Sequence, residues 1–205
     1  MTEENLRKGA DLKEVEVQGY ELVWDEGREN TEKKNARVVL YIKEELSFDI
    51  VKKHMGNDLM PEVWIRLGHS GTKRTLIGIV YREHTPWNTG EGSQKGQETR
   101  LKKWLEARRT IWTGNEETFL LGDINLDWLK KDDPGYRSVK MMKNWCEELL
   151  ALGWVQLVKK ATHFSNSAGR VSESLIDHVW SNHTAKENSK KVIEAFPTEQ
   201  YGRTV

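Results

Sequence analysis

A chain of 205 residues fits one domain, or most of one larger domain. Its 32 basic and 32 acidic residues cancel, so no global field draws it to nucleic acid and any hold on phosphate must come from local patches. The single cysteine, Cys146, excludes an internal disulfide or a cysteine-based zinc cluster, and no apolar stretch nears the roughly 20 residues of a membrane span. Apolar residues make up only 37%, but nine tryptophans can each bury a large area, so the core is adequate rather than generous. The first residues lack the apolar region of a signal peptide, and the expected compartment is the nucleus or cytoplasm, not the secreted space.

Residues 15–24 and 37–42 are rich in β-branched and aromatic side chains and read as strands around an exposed charged loop, 25–35. Residues 63–67 and 75–81 flank the turn signal at 69–73 and read as a hairpin. These strands, with their short connections, predict an antiparallel sheet. Residues 82–97, polar and carrying Pro86, Gly90, Gly92 and Gly96, read as a loop. The spacing of Leu101, Trp104, Leu105, Ala107 and Ile111 predicts an amphipathic helix over 98–112, with Lys102, Lys103, Arg108 and Arg109 outward. A strand over 118–121 follows, then a second amphipathic helix over 136–152, stopped by Gly153 and carrying Cys146 as a half-buried thiol. Short strands at 154–158 and 162–164 precede a last clear strand at 175–180. A meander followed by alternating helices and strands is an α/β layered arrangement.

Two strand ends carry the chemistry. After Thr118-Phe119-Leu120-Leu121 comes Gly122-Asp123-Ile124-Asn125; later, Ser174-Leu175-Ile176 ends in Asp177-His178. In the first, the glycine is expected to let the backbone turn at the sheet edge. Asp123 and Asn125 point the same way if the strand continues, giving a carboxylate to orient or deprotonate water and an amide to meet a phosphoryl oxygen. The same residues also read as a plain Asp/Asn turn joining strand to loop, and Asp127 reads as loop. An acid ending an apolar strand needs a partner, and the natural role for Asp177 is to hold an imidazole in one tautomer. His178, its neighbour, faces away if the strand is regular, and His163 is the nearest other histidine in sequence.

These segments resemble the endonuclease/exonuclease/phosphatase superfamily, most closely the endonuclease domain of non-LTR retrotransposons, related to apurinic-site repair endonucleases. Besides the Asp123-Asn125 and 174–182 segments, residues 76–82 (LIGIVYR) resemble the family strand ending in a functional tyrosine, here Tyr81. Residues 38–42 (VVLYI) resemble the strand before it, and 2–6 (TEENL) the segment carrying a metal-binding glutamate. The likeness covers about residues 2–183. It implies an α/β fold, a layered β-sandwich flanked by helices, and Mg²⁺ (or Mn²⁺)-dependent hydrolysis of DNA phosphodiesters. Glu3 would be the metal ligand, with Glu4 the candidate one residue along. Asp123 would orient or activate water, and Asn125 would contact the phosphate. Tyr81 would stabilise the transition state or leaving group, and Asp177 would orient the catalytic histidine. Glu3 also reads as an exposed terminal acid, and Tyr81 as a strand-end aromatic.

The chain departs from that pattern at both ends. The family's first strand, upstream of the glutamate, and its final Ser-Asp-His strand find no counterpart, so the chain reads as a single incomplete domain. The functional expectation is a retroelement-type DNA endonuclease, binding DNA weakly through local basic patches. The alternatives are a catalytically inactive remnant, or a phosphodiesterase acting on a lipid or small molecule.

Overall fold

The computed structural model describes residues 15–25, 37–53, 60–68, 74–83, 93–112, 116–167 and 170–183. Glu3, Glu4, the 69–73 turn and most of the 25–35 loop lie outside the described residues. The strands are β1 (Tyr20–Trp24), β2 (Val39–Lys43), β3 (Phe48–Lys53), β4 (Glu62–Leu67), β5 (Thr75–Tyr81), β6 (Glu117–Asp123), β7 (Val155–Gln156), β8 (His163–Ser167), β9 (Arg170–Ser174) and β10 (Asp177–Ser181). The helices are α1 (Gln94–Trp112) and α2 (Val139–Ala151).

The central sheet has six strands in the order β3-β4-β5-β6-β10-β7. Only β5 and β6 run parallel, as two strands joined through a crossover helix must. The 63–67 and 75–81 runs pair antiparallel as expected, with Glu62 opposite Val80 and Leu67 opposite Thr75. Strand alternation then gives the sheet two apolar faces. Trp64, Leu76, Val80, Leu120 and Trp180 pack against α1 and α2 on one side. Val63, Ile65, Ile79 and Tyr81 pack with Val23, Val38 and Ile42 of the β1–β2 ribbon on the other. This is a helix layer, a mixed sheet and a second small sheet: the α/β layering the residue pattern predicts, in the sandwich form the resemblance implies.

Tryptophans are the largest side chains of the helix-side core. Trp112 packs against Trp64, Trp104 and Trp154, and Trp104 against Trp145, in tilted or edge-on pairs with ring centroids 5.3–6.4 Å apart. Each buried ring contributes on the order of several kcal/mol by area. Gly78 is required inside this packing, because a Cβ there would sit 2.3 Å from the Trp64 ring. The Cys146 thiol packs on α2, and burial pushes its pKa up to about 12, so it is an inert apolar group.

Several elements differ from expectation. The first strand covers Tyr20–Trp24 only, after a turn at Gly19, whose φ of 82° suits glycine. Helix α1 starts at Gln94, so part of the expected loop is helix and Gly96 lies in its first turn. Arg108, expected to face outward, is buried, while Ala107 is exposed. The face of α1 is 101, 104, 105, 108 and 112, a helical stripe that includes Arg108. Its guanidinium meets Glu62, itself fully buried on β4: Nε donates to Oε2 over 2.7 Å, and Nη2 to Oε1. The indoles of Trp64 and Trp104 also donate to Glu62 Oε2, over 2.9 and 3.0 Å. The carboxylate is thereby neutralised and its lone pairs are occupied, which is what makes a buried charge tolerable.

Candidate active site

Strand register gathers three of the sequence-predicted residues. Tyr81 pairs with Asp123 in the parallel β5–β6 ladder, and Asp123 pairs with Asp177 in the antiparallel β6–β10 ladder. Directly opposed residues project to the same face of a sheet. Tyr81 belongs to the cluster under the β1–β2 ribbon, so the tyrosine and both acids form a row on that face, at one end of the sheet. Tyr81 is buried, and the two carboxylate residues are half-buried.

The Gly-Asp-X-Asn motif works differently from a strand that simply continues. Strand β6 ends at Asp123, and Asn125 takes a φ of 51°, in the left-handed region. Asp123 Oδ1 accepts from the Asn125 N–H over 2.8 Å, which closes an Asx turn. The turn, and not period-two alternation, therefore sets the position of Asn125 relative to Asp123. The Asn125 amide donates to the Arg82 carbonyl over 2.9 Å, while the Arg82 N–H donates to the Asp123 carbonyl over 2.8 Å. Gly122 also has another reason to be glycine than turning. It lies inside β6, and a Cβ there would meet the Val80 carbonyl oxygen at 1.8 Å.

Tyr81 is held from the second sheet. Arg37 Nη2 donates to its hydroxyl over 3.0 Å, and the guanidinium carbon lies 4.8 Å from the ring centroid. Arg37 is anchored in turn by Asp25, whose Oδ1 accepts from the N–H groups of Arg37 and Val38 at 2.8 Å each. Burial raises the pKa of Asp25, and those backbone donors with the Arg37 charge oppose the rise. Sequence reasoning missed Arg37 as a site residue: it reads as an ordinary charge at a strand start. It also missed Thr162, whose hydroxyl accepts from the N–H groups of Ile176 and Asp177 at 3.3 and 3.2 Å and so fixes the start of β10.

Neither neighbouring histidine serves Asp177. His178 is buried on the helix side, where Nε2 bonds the Leu126 carbonyl at 2.9 Å and Nδ1 accepts from Trp145 Nε1 at 3.2 Å. Burial drives its pKa down to about 4, so it is a neutral packing group. His163 is exposed, with Nδ1 lying 3.4 Å from the Ser174 hydroxyl. Asp127 is a buried structural acid: Oδ1 accepts from Leu129 and Leu175, at 3.1 and 3.0 Å, and ties the loop after Asn125 to β10.

The described residues offer oxygen donors of the kind Mg²⁺ or Mn²⁺ prefers, from Asp123 and Asp177. Among them, however, no group of three or more His, Cys, Asp or Glu is placed to hold a metal ion. A third ligand would have to come from elsewhere, and Glu3 is outside the described residues. Among the described residues, no helix is long and apolar enough to cross a membrane.

No family model and no curated protein matches the chain. Solved structures do. The endonuclease domain of TRAS1, a telomere-specific non-LTR retrotransposon, superposes with a TM-score of 0.56 over 80% of this chain and 67% of that one, at 14% identity. ANGEL2, a 2′,3′-cyclic phosphatase, gives 0.53 over 86% and 67%, at 12% identity. Beta toxin from Staphylococcus aureus gives 0.52 over 85% and 68%, at 11% identity. The chain has the endonuclease/exonuclease/phosphatase fold. It spans about two thirds of the length of these structures. Within this fold the row of Tyr81, Asp123 and Asp177 occupies one end of the central sheet, where the side chains of three strands and of the Asx turn after β6 converge. Identities this low establish the shared fold alone; what the row does must be argued from its own chemistry.

Proposed function

We propose that this sheet end is a phosphodiesterase site of the DNA-endonuclease type, belonging to a retroelement. The observation that carries the reading is the register row: a tyrosine and two carboxylates on adjacent strands, facing one way, with the Asn125 amide held at the Arg82 carbonyl next along the chain from Tyr81. Asp123 would orient the attacking water and take its proton as the new P–O bond forms and the opposite one breaks. The second N–H of the Asn125 amide would meet the phosphoryl oxygen, the first being spent on the Arg82 carbonyl. The Tyr81 hydroxyl, held by Arg37, would steady the transition state or the leaving oxygen. A divalent ion held with Glu3 would add positive charge at the phosphate. The TRAS1 domain supports the choice of DNA over a lipid or small molecule, because that domain is an endonuclease. With zero net charge, binding would be weak and confined to local basic patches.

A second reading, a catalytically inactive copy, is favoured by one observation. Among the described residues, no histidine is hydrogen-bonded to Asp177, and the adjacent His178 is committed to Trp145 and Leu126. The deciding experiment is nicking of supercoiled plasmid by the full chain in Mg²⁺, with EDTA and Asp123→Ala as controls. The endonuclease reading expects nicking that both controls abolish. A cooperatively folded chain that never nicks would establish the inactive copy instead.

A further inference from the structure

Arg82 follows Tyr81 directly, yet its side chain leaves the row and enters a cleft on the α1 side of the sheet. Met60 and Leu101 form the apolar part of that cleft, and Arg82, Glu83, Gln97 and Arg100 its polar part. The Arg82 residue is 5% exposed, and its Nε has no hydrogen-bond partner. Packing of the methylene stem on Leu101 and Met60 explains why the stem is buried. It does not explain a buried cation that forms no ion pair among the described residues, which is expensive to maintain. Burial lowers the guanidinium pKa to about 10, with Arg100 adding to the fall and Tyr136, Asp123 and Tyr81 opposing it, so Arg82 stays a cation at neutral pH.

Among the described residues the cleft is lined by two guanidinium groups, of Arg82 and Arg100, and one carboxylate, of Glu83. Its geometry is also set in advance. The Arg82 N–H is tied to the Asp123 carbonyl at 2.8 Å and its carbonyl to the Asn125 amide at 2.9 Å, so the motif that builds the row also fixes where Arg82 begins. We propose that Arg82 and Arg100 form a phosphoryl-binding subsite at the same end of the sheet as Tyr81 and Asp123, on its α1 side, with a phosphate oxygen accepting from the outer nitrogens of the Arg82 guanidinium. A planar guanidinium is the side chain best matched to a phosphoryl group. The anion site is read from the cleft alone. That its phosphate is a backbone phosphate next to the scissile one, and not a free phosphate, rests on the endonuclease reading.

The test uses the full chain carrying Asp123→Ala, so that binding is read without cutting, and compares it with added Arg82→Gln, Arg82→Lys or Arg100→Gln. Two probes separate the two sources of phosphate: inorganic phosphate, read as a rise in Tm over chloride at equal ionic strength, and a fluorescein-labelled DNA duplex, read by anisotropy across a salt series. The proposal expects a phosphate-dependent rise in Tm that Arg82→Gln and Arg100→Gln both remove and Arg82→Lys partly keeps. It also expects duplex affinity to fall about tenfold in Arg82→Gln, with the salt slope reduced by about one. A lost Tm response with unchanged duplex binding would keep the subsite, assign it to free phosphate and leave the polynucleotide link overturned. No Tm response in the parent, or one unchanged in folded Arg82→Gln and Arg100→Gln, would overturn the subsite. Should Arg82→Gln not fold, Arg100→Gln and Arg82→Lys decide. Nicking by the chain with Asp123 intact reports on the catalytic reading separately.

Discussion

The side-chain amide of Asn125 donates to the carbonyl oxygen of Arg82 across 2.9 Å, joining the loop after β6 to the end of β5. Asn125 can reach because its φ is 51°, a conformation asparagine tolerates and alanine does not. Two separable contributions follow. Asn125→Gly should lose the hydrogen bond and keep the conformation; Asn125→Ala should lose both. Urea unfolding is expected to rank wild type above Gly above Ala, with the last step costing about 1 kcal/mol.

Asp123 has both a structural and a chemical task, and one substitution separates them. Its Oδ1 caps the Asn125 N–H at 2.8 Å, which an asparagine oxygen can also do. Asp123→Asn should therefore keep the stability of the parent to within about 0.5 kcal/mol while removing the charge. If the chain nicks plasmid, Asp123→Asn should lower the rate at least about a hundredfold. Asp123→Ala should lose the same activity and also about 1 kcal/mol of stability from the open turn.

Glu62 and Arg108 are the costliest pair to separate. The two side chains are 0% and 3% exposed, and the carboxylate also receives Trp64 and Trp104. Arg108→Met would leave a buried carboxylate with two indole donors and no cation. The expected loss is about 3–5 kcal/mol, read as a lower urea midpoint with an unchanged slope.

Legibility in the sequence followed how local the cause was. Strands β4, β5, β6 and β10 show as apolar runs bounded by turn residues; β6 ends in one acid and β10 begins with the other, and the register brings the two face to face. Strand β3 did not show, because Asp49, Lys52 and Lys53 interrupt an edge strand whose ladder hydrogen bonds come from β4. Of the β8–β9 hairpin only the start, 162–164, reads as strand; the rest is nearly all polar, with Ser165, Asn166 and Ser172 along it, and carries no apolar alternation to read. Arg108 looks like a solvent-facing charge until Glu62, 46 residues away, is seen opposite it. Arg37 reaches Tyr81 across 44 residues and two sheets. Such pairings are decided by packing, which periodicity within a single element cannot report.

His178 predicts a pH dependence whose direction follows from its burial. Its pKa falls from 6.5 to about 4 in the folded chain, because burial disfavours the imidazolium, with the Leu126 carbonyl opposing only in part. Below pH 6.5 the unfolded state takes up a proton that the folded state refuses until about pH 4. Stability is therefore fully present above pH 6.5 and declines as the pH falls toward 4, by roughly 3 kcal/mol from this residue. Paired carboxylates add their own losses at the acid end. The contribution of His178 is isolated by His178→Gln, which can still accept from Trp145 and donate to Leu126. Urea unfolding from pH 7.5 to 4.5 should show a steep decline in the parent and a flatter one in the variant. Identical slopes would mean that His178 titrates alike in both states, and that the imidazole is not the neutral packing group its contacts describe.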